Sequence, residues 1–518
     1  MRRKMYIKRK DGFAMGDRIS AAGVELDFTR LGLPSDLGDQ YQDAIDRAVT
    51  EMAAVEAGEK VNTDEGRMVG HYWLRNPELA PGDLGTTISR TQQSIDDFGQ
   101  DVFAGRFTNI LWIGIGGSGL GPQLLYDSLR VPDVTPNMFF FDNTDPFGFQ
   151  RTLADIEQAG GLDSTLTVIV SKSGGTKETA NGMKFAKAAY EKAGLSFETH
   201  AAAVTQPGSA LDKLAGPESA DDSKTAGPEW LKRFAIWDWV GGRTSLFSAV
   251  GLVPAKLLGF DSAAFIAGAK DMDDATRNSS LESNPALKLA AAWFHVVEHE
   301  SLRNMVVLPY CDRICLMSKY LQQLVMESVG KSGKGISVFG NKGSTDQHSY
   351  VQQLRDGYKD FFAMFLRVLN PEVEELEVEA GVTAGDYLMA FQEGTAKALT
   401  ETGRPSMRIT TERFNEHTLG ALIALFERAV GYYGAMLGIN SYHQPGVEAG
   451  KTAAGELLVA QRAVMKHLPQ DAADLVQDEQ RMLEFAGQVR TEEGLDALSD
   501  DFVVDLLKRF SACGRLTN

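Results

Sequence analysis

Four hydroxyls and a lysine crowd one short stretch of the chain. Residues 171–179, SKSGGTKET, bring together Ser171, Lys172, Ser173, Thr176 and Thr179 around two glycines. The stretch follows an apolar run, VIV, and leads into a helical pattern. Hydroxyls and free backbone N–H groups at the positive end of a helix form a cradle for phosphate. Plain N-capping would need one such residue, not four. A second turn, GIGGSG at residues 114–119, also joins a strand pattern to a helix pattern. It fits G-x-G-x-x-G, and Asp142 closes the next strand pattern, where a ribose-binding acid would stand. The same turn serves another anionic ligand or simple tight packing, and spacing alone leaves all three open.

Groups able to move protons lie further along. Glu327 ends an apolar helix pattern beside the loop SVGKSGKG, and Gln323 shares its helix face four residues earlier. A carboxylate at a helix C-terminus opposes the helix dipole, which suggests a purpose; a solvated surface glutamate is the plain alternative. His348, in STDQHSYVQQ, is one of only eight histidines and a candidate acid–base group, or else a polar residue at a helix start. Arg243 follows two glycines in WVGGRTSL, which would let its guanidinium enter a crowded site. Gly330–Lys331–Ser332 and Gly450–Lys451–Thr452 look like the ends of nucleotide-binding loops. Neither has its leading glycine at the right distance nor a strand directly before it, which argues against a nucleoside triphosphate.

The whole chain sets the limits. It has 518 residues, 43% apolar and 24% charged, the mix of an ordinary globular protein. With 52 basic and 70 acidic residues the net charge is −18, which disfavours nucleic acid and anionic membrane as partners. An anionic small molecule would need local cations and N–H donors. Three cysteines, Cys311, Cys315 and Cys513, match no zinc spacing and suit a reducing cytoplasm. No apolar run reaches the ~18 residues of a membrane span. The basic start, MRRKMYIKRKDGFAMGDR, lacks the apolar core of a secretory signal and reads as a disordered tail.

The elements that must position these groups follow from the pattern of apolar runs. Residues 1–100 read as mostly helix and loop, with a helix over 43–57. From about 103 the pattern becomes strand, turn, helix: NILWI, MFFFDNT, LTVIV and ETHAAAVTQ are the strand candidates. Such alternation predicts a parallel sheet covered on both faces. A second cycle begins near 285, with NMVVLPY, DFFAMFLRVL and ITTERF as strands and a long helix after them. Leu419, Leu422, Ile423, Phe426, Val430 and Tyr433 mark one face of that helix. The expected architecture is α/β: an N-terminal helical extension (1–100), one α/β domain at 101–265, another at 266–455, and a helical arm at 456–518.

Six segments, IGIGGSGLGP, VSKSGGTKET, VGGRTSLFSAVG, LQQLVMESVGK, GSTDQHSYVQQLRDG and NSYHQPGVEAGK, occur in the order of one family. On them the chain resembles the phosphoglucose isomerases of the sugar-isomerase (SIS) superfamily. The resemblance implies two doubly wound, flavodoxin-like SIS domains, usually in a homodimer, and an aldose–ketose isomerisation of sugar phosphates with no metal or organic cofactor. It implies Glu327 as the base between C2 and C1 and Arg243 as the stabiliser of the enediolate. It implies His348, reaching the site across the subunit interface, and Lys451 as the pair that opens the sugar ring. Ser171, Ser173, Thr176 and Thr179 would hold the phosphate, and Gly117, Ser118, Lys172, Gln323 and Gln347 would line the substrate. The chain departs from the commoner family pattern at Ser173–Gly174–Gly175, Thr244, Val329 and Tyr442–His443–Gln444. The small phosphate turn leaves mannose 6-phosphate open as a second substrate. A phosphosugar-sensing regulator would need a basic DNA-binding module, which this acidic chain lacks.

Overall fold

The computed structural model describes residues 17–103, 106–131, 135–216, 229–340, 342–469, 472–495 and 498–516. The basic tail, 1–16, lies outside them. The chain divides into a larger unit ending at His443 and a smaller one starting at Gln444.

The larger unit holds two large sheets and a small two-stranded one formed by residues 377–383. In chain order its strands are β1 (Arg18–Ala21), β2 (Val24–Asp27), β3 (Asn109–Ile113), β4 (Asn137–Phe141), β5 (Thr165–Ser171), β6 (Ala201–Thr205), β7 (Lys232–Ala235), β8 (Asn304–Tyr310), β9 (Ser337–Gly340), β10 (Phe361–Val368), β11 (Glu377–Glu379), β12 (Val382–Thr383) and β13 (Ser406–Thr411). The first sheet runs β4-β3-β5-β6-β7, all parallel. In order of appearance that is 2-1-3-4-5, the flavodoxin-like winding. The second sheet runs β1-β2-β13-β10-β8-β9. Its parallel part, β13-β10-β8-β9, repeats the 2-1-3-4 order of the first.

Strand side chains alternate between faces, and the apolar runs therefore feed two cores each. Ile110 and Trp112 of β3 point into a central core while Leu111 and Ile113 point into an outer one. In the second sheet Met305 and Val307 join the same central core, and Val306 and Leu308 enter a third. One central core thus lies against the inner faces of both sheets.

The expected strands and the two-cycle layout are present. Several elements differ. The segment taken as helix and loop contains the β1–β2 hairpin, which pairs antiparallel with β13 and extends the second sheet. Its two-residue turn puts Ala22 at φ 48° and Gly23 at φ 78°, the left-handed pair that matches strand twist. The short edge strands β7 and β9 lie outside the strand candidates of the sequence. The helix Glu416–Leu437 buries every residue from Thr418 to Leu437, not one face only. The smaller unit is helical, as expected, but begins near 444 and includes the helices Pro445–His467, Glu479–Glu493 and Asp500–Ala512 around a core containing Val464, Met482, Leu507 and Phe510.

Leu26 of β2 is completely buried in the central core. Leu26→Ala is expected to destabilise the larger unit by about 2–5 kcal/mol. A thermal midpoint unchanged from wild type would show that the hairpin is not part of that core.

Candidate active site

Ligands of doubly wound sheets bind beyond the carboxyl ends of the strands, where the strand order reverses. In the first sheet that point lies between β3 and β5. The two loops leaving it are the two glycine-containing turns of the sequence.

After β3 the chain turns at Gly116, φ 59°, into the helix Gly117–Leu129. The Trp112 indole N–H donates to the Ser118 carbonyl at 2.7 Å and holds the turn. Gly117 meets the Gly242 backbone so closely that a Cβ would stand 2.0 Å from the Gly242 carbonyl oxygen. A Cβ on Gly116 would stand 3.2 Å from the Gln323 amide nitrogen. The turn is therefore in contact with both the arginine segment and the glutamate helix. Asp142 accepts from Gln123 at 2.7 Å, so it serves the following helix.

After β5 the chain turns through Gly174, φ 66°, into the helix Lys177–Lys192. Thr176 occupies the N-cap position, yet no side chain caps this helix. Its hydroxyl instead accepts from Ser171 Oγ at 3.1 Å. Ser173 Oγ accepts from the Gly175 N–H at 3.2 Å. Thr179 Oγ1 is buried without a hydrogen-bond partner. Uncapped N–H groups and clustered hydroxyls leave the positive helix end available to an anion. Lys172 reaches across to the carbonyls of Asp238 and Val240, at 2.7 Å each. Burial, with Arg67 adding repulsion, lowers its ammonium to about 8.

Glu327 and Arg243 come together although 84 positions separate them. Arg243 Nη1 lies 3.5 Å from Glu327 Oε2, and both side chains are largely removed from water. The distance is an ion pair rather than a good hydrogen bond, and Glu327 Oε2 has no other partner among the described residues. Glu327 is thus not the solvated surface residue of the plain alternative. The rest of the guanidinium is anchored: Nε donates to Ser328 Oγ at 2.6 Å and Nη2 to the Ser441 carbonyl at 2.6 Å. The helix carrying Glu327 has a π-helical turn, Gln322–Met326, immediately before it. Such turns rotate the residues that follow and recur at functional sites.

Three features escaped the sequence reading. Lys331 donates to the Asn440 carbonyl at 2.5 Å, and burial beside Arg243 lowers it to about 8. The Asn440 side chain donates to Asn62 at 3.0 Å and to Asp64 at 2.6 Å. Arg67 of the same N-terminal loop donates to the Asp238 carbonyl at 3.2 Å, the acceptor that Lys172 also uses. Only the rejected nucleotide-loop motif had drawn attention to Lys331; nothing in the sequence signalled the 62–67 loop.

His348 and Gln347 are not part of this cluster within one chain. His348 is exposed after β9 and makes no hydrogen bond or ion pair among the described residues. Gln347 donates to the Phe391 carbonyl at 3.0 Å and to Thr395, away from Glu327. Lys451 is exposed on the helix Pro445–His467 of the smaller unit. Among the described residues no group of three or more His, Cys, Asp or Glu could hold a metal ion. No helix among them is long and apolar enough to cross a membrane.

A hydroxyl-and-amide cradle at a sheet's switch point, with a buried carboxylate–guanidinium pair beside it, defines an α/β protein organised around a small anionic ligand. The sequence model of the phosphoglucose isomerase family matches residues 37–473, and the chain belongs to that family. A glucose-6-phosphate isomerase of Citrifermentans bemidjiense is 50% identical over 463 residues, covering 86% of this chain and 85% of that protein. One from Synechococcus elongatus is 49% identical over 481 residues, covering 88% and 89%. Among solved structures, a glucose-6-phosphate isomerase from Chlamydia trachomatis superposes with a TM-score of 0.76 at 26% identity, covering 88% of this chain and 91% of that one.

Lys172 and Lys331 lose charge as pH rises through about 8. A phosphate monoester is mostly dianionic above about pH 6 and stays so. Its affinity, measured by calorimetry, is therefore expected to be weaker at pH 9 than at pH 7. Equal affinity at both would mean that neither lysine faces the anion.

Proposed function

We infer that the chain interconverts glucose 6-phosphate and fructose 6-phosphate, the aldose–ketose step shared by glycolysis and gluconeogenesis. The observation that carries the reading is the Arg243–Glu327 pair at 3.5 Å, beside the turn of Gly117 and Ser118, which leaves the same sheet as the 171–179 cradle.

The substrate phosphate lies in the cradle of Ser171, Ser173, Thr176 and Thr179 with the helix N-terminus, and Lys172, Gln323 and Gln347 contribute to the substrate's surroundings. His348 and Lys451 open the sugar ring by proton transfer. Glu327 removes the proton on C2 and returns it to C1; a carboxylate within reach of both carbons suffices. Negative charge develops on the enediolate oxygens, and the fixed Arg243 guanidinium stabilises it without reorganising. Two electrons pass from C2 to C1 inside the substrate, so the chemistry calls for no external redox partner.

The working form is a homodimer in which His348 completes the partner's site. Two features support this. His348 is exposed and unengaged in its own chain. Leu369, Val373, Leu376, Val378, Met389 and Phe391 are all exposed within one short stretch, the mark of a covered face. A cytoplasmic location fits three cysteines that are all free thiols.

Conversion of fructose 6-phosphate, coupled to NADPH formation in EDTA, tests the reading. Glu327→Gln is expected to lower kcat roughly 10²–10⁴-fold with substrate affinity largely kept. A variant near the wild-type rate would remove Glu327 as the base. Glu327→Gln and His348→Ala should each be strongly impaired alone. Mixed dimers purified after co-expression should carry one intact site of two and recover roughly half of wild-type turnover. No recovery from verified mixed dimers would place His348 in the site of its own chain.

A further inference from the structure

Beneath Arg243 lies a group of fully buried charges that the reaction does not use. Arg75 pairs with Glu427 and, at 2.9 Å, with Asp273. Arg428 donates to Asp273 at 3.0 Å and pairs with Glu56. The Arg75 guanidinium stacks on the Phe247 ring at 4.8 Å, and Arg428 stacks on Tyr72 at 4.4 Å. One side chain leads from this group to the site. Tyr320, itself buried, places its hydroxyl 3.3 Å from Glu427 Oε1 and 3.4 Å from the Arg243 carbonyl oxygen.

We propose that Tyr320 and Glu427 are positioning residues for Arg243: the phenol, its one O–H shared between the Glu427 carboxylate and the Arg243 carbonyl, fixes the Gly242–Thr244 turn so that the guanidinium is aimed at the reacting oxygens. The inference rests on the role given to Arg243 in the proposed isomerase.

The geometry gives the phenol a specific task. Tyr320 and Glu327 belong to one helical run, from Met317 to Val329, broken only by the π-helical turn. That run touches Arg243 at both ends of the residue. Ser328 and Glu327 meet the guanidinium, and Tyr320 meets the main-chain carbonyl. Two contacts on one rigid element set both the place and the direction of a long side chain; one contact would leave it free to pivot. The opposite side of the turn is closed by Gly117 and by Ser245, whose hydroxyl donates to the Gly242 carbonyl at 2.7 Å. Tyr320 therefore joins the base helix to the arginine main chain. Glu427 is kept in place by the Arg75 guanidinium, which is in turn fixed by Asp273.

Removing the hydroxyl leaves the ring and its packing intact, so Tyr320→Phe isolates this task. The expected result is a fall in kcat of about fivefold to tenfold, with KM for fructose 6-phosphate within twofold of wild type. The decisive measurement is a double-mutant cycle with Arg243→Ala. If Tyr320 acts through Arg243, Tyr320→Phe costs nothing further in the Arg243→Ala background. A wild-type kcat for Tyr320→Phe, with Arg243→Ala strongly impaired, overturns the proposal and leaves the isomerase reading standing. Losses that multiply in the double variant overturn it as well, because Tyr320 would then act by another route. An unimpaired Arg243→Ala enzyme would instead remove the role of Arg243 on which the proposal rests. Glu427→Gln should reproduce the Tyr320→Phe defect if it folds; Tyr320→Phe decides the question if it does not.

Discussion

A guanidinium withdrawn from water must aim its N–H groups at oxygens, because a buried charge without partners is strongly destabilising. At Arg243 that requirement gathers four stretches of chain that are remote in sequence. Its nitrogens reach Glu327, Ser328 and the carbonyls of Ser441 and His443. The turn that carries it is pressed against Gly117. Once these contacts form, the glycine turn of the first sheet, the base helix of the second half and the last residues of the larger unit are fixed relative to one another. The rest of the site is arranged around this one charge.

The buried group below it follows the same logic with more members. Arg75, Arg428, Asp273 and Glu427 are all inaccessible, and each is balanced by an opposite charge. Burial, with Asp273 adding repulsion, pushes the Glu427 carboxyl up to about 7, against the pull of Arg75. Replacing such a group with apolar side chains of equal volume is often neutral for stability, whereas removing one member is not. Its value to this fold is directional. Hydrogen bonds fix angles that apolar contacts leave loose, and the group ties the 3-10 turn His71–Leu74 region to the helices Ser262–Ala275 and Glu416–Leu437.

Much of this was legible in the sequence, and what was not has physical reasons. β3, β5, β8 and β10 are buried on both faces over most of their length, so their runs are mostly apolar and stand out. β7, KRFA, and β9, SVFG, are short edge strands with polar residues and part of their surface exposed, too short for a local strand pattern. The β1–β2 hairpin pairs with β13 across almost the whole larger unit, a partnership that no local pattern encodes. The site divides the same way. Ser171–Thr179, Glu327 and Arg243 were visible because clustered hydroxyls, a misplaced carboxylate and a glycine-flanked arginine are locally odd. Lys331, Tyr320 and the 62–67 loop are locally ordinary, and distant neighbours alone give them a place in the site. His348 and Gln347 were expected beside Glu327 and are not there in a single chain.

The central core gives the larger unit a property that its two similar sheets conceal. Trp112 and Val168 of the first sheet and Met305 and Phe362 of the second lie in one continuous apolar body, with Leu26 of the hairpin and Trp293. Each half keeps an outer core of its own, but neither owns the central interior alone. A gene fragment encoding either sheet would yield a polypeptide with one complete face and one bare one. The halves share a winding pattern, as duplicated modules do, yet neither can be lifted out, exchanged or inherited alone, because what would be the surface of one is the interior of both.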